Sequence, residues 1–266
     1  MIQEILKRAK KDIYTQKSSI NLSKKIGDGY DFAELNLYQY GEDAKKIDWK
    51  STAKTQTPHI KRYYQEKEAN IILAPILTPT LNFLDKKEIF YQLISILGYE
   101  IIRSSNSLNI NMINGNKTIP YKKSKNPNLI KKVLSDLKKI EFSKEDTDLQ
   151  NLSKQIKKSS IILLIGDFLD PIDLKELAIR HEIFVFIIRD EFEQNPTILG
   201  EREFIDLKTS KTKNLFFGKK ELKEWRDGYE KSDKALFSYL KTLSIPYIKI
   251  VGKQSPSKQL YGLKNL

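Results

Sequence analysis

"SIILLIGDFLDPIDLKELAIRHEIFVFIIRD", from Ser160 to Asp190, is the stretch of sequence that decides the fold. Its two ends, "SIILLIGDF" and "EIFVFIIRD", are continuous apolar runs of the kind found in strands that are buried on both faces. The segment between them, "DLKELAIR", has the composition and spacing of a short helix. Buried strands that alternate with helices are typical of a parallel sheet, so this stretch predicts an α/β domain.

The same alternation continues on both sides of this stretch. Upstream, we expect a strand at "NIILAPIL", which should pair poorly or bulge at Pro75, then a helix at "KKEIFYQLISILGYEIIRSS" and a strand at "LNINMIN". Two helices follow, at 128–139 and at about 147–157. Downstream, "EREFIDLKT" predicts an extra, edge-like strand, and the long helix "KKELKEWRDGYEKSDKALFSYLKTL" precedes a last strand at "IPYIKIV". The pattern changes near Glu68, which predicts an N-terminal segment over 1–67 and an α/β domain over 68–266.

Composition excludes several classes of function. The 266 residues contain no cysteine, which excludes disulfides, thiolate zinc sites and cysteine nucleophiles and fits a reducing compartment. The two histidines, His59 and His181, are too few for a multi-histidine metal site, and no G-x-S-x-G motif is present. The charged, amphipathic first twelve residues predict a helix and not a signal peptide, and no apolar run approaches the length of a bilayer span. We therefore expect a soluble, cytoplasmic protein that is not an enzyme and needs no cofactor.

The strong positive charge raises a second hypothesis. The formal net charge is +13, and the stretch from Lys117 to Lys139 holds eight lysines against one acid, Asp136. A basic nucleic-acid-binding protein is therefore the alternative function, and a steep salt dependence of binding to generic DNA or RNA would favour it. No aromatic stacking motif accompanies the lysines, as an RNA-recognition surface would require. The pattern favours a solvated face.

Ligands of open α/β sheets bind at the carboxyl ends of the strands, which directs attention to "PILTPT" and "GDFLDP". Asp167 and Asp170 could ligate a hard cation, with hydroxyl oxygens from Thr78 and Thr80. On the simpler interpretation, Asp170 starts a turn and the threonines cap the next helix. From the residues alone the simpler interpretation is favoured. "GDGYDF" and "NGNKT" are weak matches to phosphate-binding loops because each lacks the required frame.

A charged segment near the N-terminus, "YGEDAKKIDWKSTAK" from Tyr40 to Lys54, lies between two predicted strands, "YDFAELNLYQY" and "PHIKRYYQE". Asp43 is predicted to cap a short helix in which Lys46, Lys50 and Lys54 share one face. Neither the adjacent acids nor the lysines form a catalytic pair at a defined spacing.

The longer stretch "GDGYDFAELNLYQYGEDAKKIDWKSTAK" resembles the hallmark segment of the bacterial domain-of-unknown-function 58 (DUF 58) family. That pattern is G-x-G-x-x-F, then L-R-x-Y, then G-D-D-x-R-x-I-D-W, and finally A-R. Glu42, Lys46 and Lys54 are conservative departures from it, and Asn36 replaces an arginine. The positions that match as they stand are Gly27, Gly29, Phe32, Leu35, Tyr38, Gly41, Asp43, Ile47, Asp48, Trp49 and Ala53.

The resemblance implies both a fold and a kind of partner. It implies a von Willebrand factor A-like α/β domain after the hallmark segment, in a soluble form without the two membrane-spanning helices of many members. Members commonly accompany MoxR-type AAA+ ATPases and other von Willebrand factor A proteins, which implies a non-enzymatic protein-interaction module. We expect the hallmark to be structural or partner-facing, with the Trp49 ring buried where the N-terminal part meets the sheet domain. Asp43 and Asp48 should bond to nearby backbone or lysine groups.

Resemblance to von Willebrand factor A domains also implies positions for a metal-ion-dependent adhesion site (MIDAS), which uses D-x-S-x-S, a distant threonine and a distant aspartate. Because Ile76 stands in place of the leading aspartate, one of two expected carboxylates is missing. We therefore expect a vestigial, degenerate MIDAS without a tight divalent cation. Its positions are Ile76, Thr78, Thr80, Thr147 and Asp167.

Overall fold

The computed structural model describes residues 26–27, 31–64, 70–104, 106–252 and 256–261. The helix predicted over the first twelve residues lies outside them. The chain forms two compact units, and the smaller one comprises residues 10–68.

The smaller unit contains a three-stranded antiparallel sheet in the order β1-β3-β2. One short helix was predicted between β2 and β3. That prediction is wrong, because the segment holds a 3-10 turn followed by a separate α-helix. Ile47 separates them: its backbone is extended, and it bridges to Ile60. The elements are β1 (Ile26–Gly27), β2 (Asp31–Leu37), a 3-10 turn (Ala44–Lys46), α1 (Trp49–Thr55) and β3 (His59–Tyr64).

The larger unit contains a six-stranded sheet and a separate hairpin. Its strands are β4 (Ile71–Leu77), β5 (Leu108–Asn114), β6 (Lys117–Ser124), β7 (Ile161–Gly166), β8 (Glu182–Arg189), β9 (Gly200–Ile205), β10 (Thr212–Phe217) and β11 (Tyr247–Val251). The six-stranded sheet has the order β11-β8-β7-β4-β5-β6. Only β6 is antiparallel to its neighbour in this sheet, and it lies at one edge.

Helices flank this sheet, and their amphipathic patterns explain why they pack on it. The helix Lys86–Arg103 packs next to the centre of the sheet. Its residues Ile89, Phe90, Leu93 and Leu97 recur at helical spacing, and all are buried. The predicted fold class is confirmed at the level of architecture: the unit is α/β, with a mostly parallel sheet between helices. The helices are α2 (Lys86–Arg103), α3 (Asn128–Leu137), α4 (Gln150–Gln155), α5 (Lys175–Arg180), α6 (Glu191–Gln194), α7 (Lys219–Thr242) and α8 (Pro256–Tyr261).

The core lies along the two central strands, β4 and β7, every residue of which is buried. They pair in parallel, with Ile72 opposite Ile162 and Leu73 opposite Leu163. Burial on both faces explains why the sequence shows continuous apolar runs here and not alternation. Each fully buried aliphatic side chain contributes about 1.5–3 kcal/mol relative to an exposed one.

Pro75 interrupts the pairing of β4 on one side only. Leu73 and Ile76 of β4 pair with residues of β5, but Ala74 and Pro75 between them do not. The register of the two strands is the same before and after this gap. On the other side Pro75 pairs with Ile165 of β7. The predicted weak pairing at Pro75 is confirmed, and it involves no bulge.

The segment "EREFIDLKT" forms the extra, edge-like strand that was predicted, but it lies outside the main sheet. As β9 it pairs antiparallel with β10 in a two-stranded sheet of its own. The hairpin packs on α7 through aromatic rings: the Phe204 centroid lies 5.0 Å from that of Phe217 and 5.9 Å from that of Trp225. Aromatic packing thus anchors this two-stranded sheet to α7.

The two edges of the main sheet are protected in different ways. At one edge, β6, a strand that the sequence did not predict, carries exposed Lys122 and Lys123 as well as Pro120. At the other edge, the Val251 N–H donates to the Gln259 side-chain oxygen at 3.0 Å, and the Gln259 amide nitrogen donates to the Val251 carbonyl at 2.6 Å. The Gln259 amide thus satisfies the backbone groups that a neighbouring strand would otherwise bond.

Candidate functional site

The carboxyl ends of β4 and β7 form the crevice in which ligands of open α/β sheets bind. These strands are neighbours, but the chain continues from β4 to β5 on one side and from β7 to β8 on the other. The order therefore reverses between them, which is the switch point at which a binding crevice opens. Thr78 and Thr80 follow β4, and Asp167 follows β7.

Three of the predicted metal-site residues meet in this crevice. Asp167 is 1% exposed. Thr78 Oγ1 donates to its Oδ1 at 3.0 Å, and Thr80 Oγ1 donates to its Oδ2 at 2.5 Å. The two threonine oxygens lie 3.1 Å apart. The threonine hydroxyls therefore bond to the carboxylate and do not cap the next helix. Thr78 precedes the 3-10 helix Pro79–Asn82, but its side chain makes no cap hydrogen bond to it.

A lysine that sequence analysis missed is bonded to the same carboxylate. Lys86, the first residue of α2, is 0% exposed. Its Nζ donates to Asp167 Oδ2 at 3.0 Å and to Glu193 Oε1 at 2.8 Å. One buried ammonium thus joins the loop after β7 to α6, which follows β8.

The second oxygen of Glu193 holds the start of α6. Glu193 Oε2 accepts the Asp190 backbone N–H at 2.8 Å, while the Asp190 side chain accepts the Phe192 N–H at 2.8 Å. These reciprocal bonds form a capping box. Asp190 also accepts the Asp85 N–H at 3.2 Å, which connects this cap to the residue that precedes α2.

A second buried ion pair lies beside the first. Arg189, at the end of β8, donates through Nε and Nη2 to Asp233 Oδ1 at 3.0 and 2.6 Å, and through Nη1 to the Asp167 carbonyl oxygen. Lys249 approaches the other Asp233 oxygen at 3.3 Å. We call the six charged groups the carboxyl-end cluster, in which three cations balance three carboxylates. The members are Lys86, Arg189, Lys249, Asp167, Glu193 and Asp233.

The cluster shifts the pKa of one of its members, Asp167, and of the neighbouring Tyr229. Burial acts to raise the pKa of Asp167, but the charge of Lys86 and the hydrogen bonds from Thr80, Lys86 and Thr78 outweigh it, so this pKa lies below its usual value. Burial, and then the nearby Glu193 carboxylate, raise the pKa of Tyr229. Its hydroxyl therefore remains a donor, and it lies 3.3 Å from Glu193 Oε1.

The other two predicted metal-site residues lie beside the crevice around a small cavity. Ile76 and Thr147 line it together with Thr78 and Asp170, and its volume is about 10 Å³. This is the space of about one water molecule. The Ile76 side chain belongs to the hydrophobic core. All five predicted positions are therefore near one another, but an apolar group stands where the first carboxylate would be needed.

The donor set does not fit a divalent cation. Both oxygens of Asp167 already accept hydrogen bonds, and Oδ2 accepts one from an ammonium. Ile76 supplies no oxygen from its side chain. Among the residues that the structure describes, no group of three or more histidine, cysteine, aspartate or glutamate side chains is placed to hold a metal ion.

Polar groups of the hallmark segment bond within their own unit. Asp43 accepts the Lys45 N–H at 3.0 Å and caps the 3-10 turn. Asp48 accepts from Ser51 Oγ at 2.6 Å and pairs with Lys61 at 3.2 Å. The hydrogen bond from Ser51, followed by Lys61, lowers the Asp48 pKa against the opposing effect of desolvation. Both aspartates thus make the kind of contact that was expected.

The glycine and apolar positions of the hallmark have different local roles. Gly41 has φ +99° in open space, so the backbone conformation of its turn requires glycine. Gly27 and Phe32 both pair with Tyr63 in the small sheet. The Tyr38 N–H donates to the Pro58 carbonyl at 2.8 Å. Gly29 lies outside the described residues.

The expected burial of Trp49 is wrong. Its side chain is 70% exposed, because Trp49 is the first residue of α1 and none of the residues of that helix is buried. Tyr40 is fully exposed and Leu37 is 59% exposed. Lys54, in the last turn of α1, is also exposed. The segment therefore presents apolar side chains, two of them aromatic, to solvent.

Two of the missed cluster residues had a signal in the sequence that could have revealed them. Lys86 precedes Ile89, Phe90 and Leu93 by three, four and seven residues, so it lies on the buried face of α2. Arg189 ends a strand whose last five positions are all buried. A charged residue inside an apolar pattern predicts a buried partner of opposite charge. Neither residue reveals the identity of that partner.

No helix in the described parts of the chain is both long enough and apolar enough to cross a bilayer.

Comparison with protein families identifies the family to which this chain is similar. The model of the family described as "Protein of unknown function DUF58" matches residues 34–235. Uncharacterized proteins of Mycobacterium bovis and Mycobacterium tuberculosis are 21% identical over 178 residues, which cover 62% of this chain and 56% of theirs. The chain thus spans little more than half of the length of these curated relatives.

Solved structures with similar folds include three proteins at low identity. The conserved hypothetical protein BatB from Bacteroides thetaiotaomicron has a TM-score of 0.42 and 11% identity, over 73% of this chain and 94% of BatB. An aerotolerance-related membrane protein from Bacteroides fragilis has a TM-score of 0.41 and 13% identity, over 73% and 96%. The SpRpn10 VWA domain has a TM-score of 0.38 and 12% identity, over 74% and 96%.

Proposed function

The chain belongs to the DUF58 family, and from that premise we propose that it is a non-enzymatic, cytoplasmic protein-interaction module of bacterial type. Its partners in this proposal are a MoxR-type AAA+ ATPase and other von Willebrand factor A proteins. The hallmark segment supplies the binding surface.

The observation that carries this proposal is the exposure of aromatic side chains on a segment whose polar groups bond to one another. Asp48 is bonded to Ser51 and Lys61, and the His59 N–H donates to Thr52 Oγ1 at 3.0 Å. These bonds restrain the backbone that carries Trp49. Tryptophan and tyrosine are enriched among the residues that dominate binding energy. A side chain on a backbone that is already restrained loses less conformational entropy when it binds.

The carboxyl-end cluster supports a non-enzymatic role. A catalytic group must touch its substrate, but the ammonium of Lys86 and the carboxylates of Asp167 and Glu193 are at most 1% exposed. Each already has a bonded partner within the protein. These three groups therefore hold the crevice together and are not accessible to a reactant.

The same contacts support the proposal that the metal site is vestigial. A hard cation in this crevice would have to displace the Lys86 ammonium from Asp167 and would find no carboxylate at Ile76. Partner binding is therefore proposed to proceed without a metal bridge.

A binding measurement tests the role of Trp49. The purified chain is titrated with a purified MoxR-type AAA+ ATPase encoded in the same genome, and the Trp49→Ala variant is compared with the wild type. We expect the Kd to rise about 30-fold or more, which corresponds to about 2 kcal/mol and is the threshold for a dominant interface residue.

Tyr99→Ala serves as the matched control, because Tyr99 is an aromatic residue of α2 that is also exposed. This variant should bind with wild-type affinity. Equal affinities of wild type and Trp49→Ala would exclude the hallmark as the binding surface. Absence of binding by the wild type would exclude this ATPase as the partner.

A further inference from the structure

We propose that Lys86 is the built-in cation of the crevice: its ammonium takes the position that a divalent cation would occupy, and it keeps such a cation out. The proposal does not depend on the identity of the protein partner, since the purified chain alone is sufficient to test it. It also gives the proposed absence of metal binding a second cause, besides the isoleucine at position 76.

The surroundings of the ammonium are those of a cation site. Lys86 Nζ contacts one carboxylate oxygen of Asp167 and one of Glu193, at 3.0 and 2.8 Å. Two hydroxyl oxygens, of Thr78 and Thr80, bond to the same Asp167 carboxylate. Hard divalent cations are bound by carboxylate and other oxygen ligands of this kind. The side chains of Lys86, Asp167 and Glu193 are almost completely removed from solvent.

Charge balance explains why the ammonium stays in place. Two carboxylates buried without a cation would be strongly destabilising, because burial disfavours the ionised form and like charges repel. The neighbouring cation, Arg189, already bonds to Asp233. Lys86 is therefore the cation in direct contact with both Asp167 and Glu193. Its attachment to α2 makes that contact independent of the metal concentration.

Removal of the ammonium should convert this crevice into a metal site. A Lys86→Ala variant would keep both carboxylates and leave the volume of the lysine chain for a cation and its waters. Calcium is the best probe, because it accepts flexible geometry and oxygen distances of about 2.3–2.6 Å. The Asp167 and Glu193 oxygens would have to move toward it by roughly half an ångström, which is the difference between these distances and those to the ammonium.

The experiment compares Lys86→Ala with the wild type in thermal unfolding and in calorimetric titration with calcium chloride. In EDTA the variant should unfold at a lower temperature than the wild type. Calcium should bind the variant with a Kd below about 1 mM. At roughly 100 times this Kd, calcium should raise the melting temperature of the variant by about 5–10 °C. The wild type should show neither the binding heat nor the shift.

Two further variants separate this effect from a general one. Lys87→Ala removes the adjacent lysine, whose ammonium bonds to Asn82 at 2.9 Å, and it should show no response to calcium. The double variant Lys86→Ala/Asp167→Asn keeps the cavity but removes one carboxylate charge, and it should bind calcium at least about tenfold more weakly than Lys86→Ala.

Each other result would overturn the proposal. Calcium binding by the wild type as tight as by Lys86→Ala would mean that the ammonium excludes nothing. A Lys86→Ala variant that folds but does not bind calcium would mean that the Asp167 and Glu193 oxygens do not form a cation site. Failure of the variant to fold in calcium as well as in EDTA would contradict the expected rescue.

Discussion

The carboxyl-end cluster and the hallmark segment both concentrate charged residues, yet they use them in opposite ways. In the cluster, Lys86, Asp167 and Arg189 are buried and bonded to groups that are distant in sequence. In the hallmark, Asp43 and Asp48 are bonded to groups within fifteen residues of themselves, while Trp49 faces solvent. The first arrangement stabilises a tertiary fold, and the second shapes a local surface. Substitutions should therefore affect mainly stability in the first region and mainly binding in the second.

The largest expected effect is loss of a buried ion pair. Asp233→Ala leaves Arg189, which is 0% exposed, without its carboxylate. Removal of one partner of a buried pair typically costs about 3–5 kcal/mol because the remaining charge is uncompensated. Urea unfolding followed by circular dichroism should show a decrease of this size in the free energy of unfolding.

Asp227→Ala is the matched control, because Asp227 is an exposed aspartate of the same helix, α7. This variant should lie within about 0.5 kcal/mol of the wild type. If Asp233→Ala were no more destabilising than Asp227→Ala, the contrast between a buried and a surface role for these charges would fail.

An intermediate effect is expected from pH. The Asp167 pKa is lowered in the folded state, in which burial is outweighed by Lys86 and by the hydrogen bonds. Its stabilising contribution is therefore fully present above the unfolded-state pKa of about 4 and is lost as the pH falls through the folded-state pKa. Asp167→Asn should be less stable than the wild type at pH 7, and this difference should shrink below about pH 4.

Urea titrations of both proteins at a series of pH values measure this difference. If the difference in unfolding free energy between wild type and Asp167→Asn widened as the pH fell, the folded state would stabilise the protonated form of Asp167 more than its ionised form. That result would contradict the buried ion pair with Lys86.

The smallest effect on stability is expected at Trp49. A ring that is 70% exposed loses little burial when it is truncated, so Trp49→Ala should reduce the free energy of unfolding by less than about 1 kcal/mol. Thermal and urea unfolding of the same sample used for the binding titration measure this value. A loss of about 3–5 kcal/mol, which is typical of a buried aromatic ring, would place Trp49 among the core residues and remove the contrast.

The fold was largely predictable because its determinants are local in sequence. Apolar runs identified β4, β7 and β8, and helical periodicity identified α2 and α7. The strand β6 was missed because its pattern is mostly exposed, with Lys122 and Lys123 in place of apolar residues. An antiparallel edge strand lacks the two-sided burial that made the central strands recognisable.

The candidate site was predictable only in part. Strand order places Thr78 and Asp167 at one crevice, and this proximity followed from general rules for α/β sheets. The pairing of Lys86 with Asp167 spans 81 residues, and its pairing with Glu193 spans 107. No local pattern specifies such partners. The large apolar ring of Trp49 suggested burial. The ring is exposed because Trp49 begins a helix in which no residue is buried.

The two edges of the main sheet have a consequence for how copies of this chain can associate. A strand from a second molecule could extend the sheet only by bonding to free backbone groups at an edge. At β11 the Gln259 amide occupies the Val251 groups, and at β6 such a strand would meet lysine charges and Pro120, which has no N–H to donate. Strand addition is thus disfavoured at the Val251 end of β11 and along β6, where the edge lysines would place like charges next to one another in any pairing of two copies.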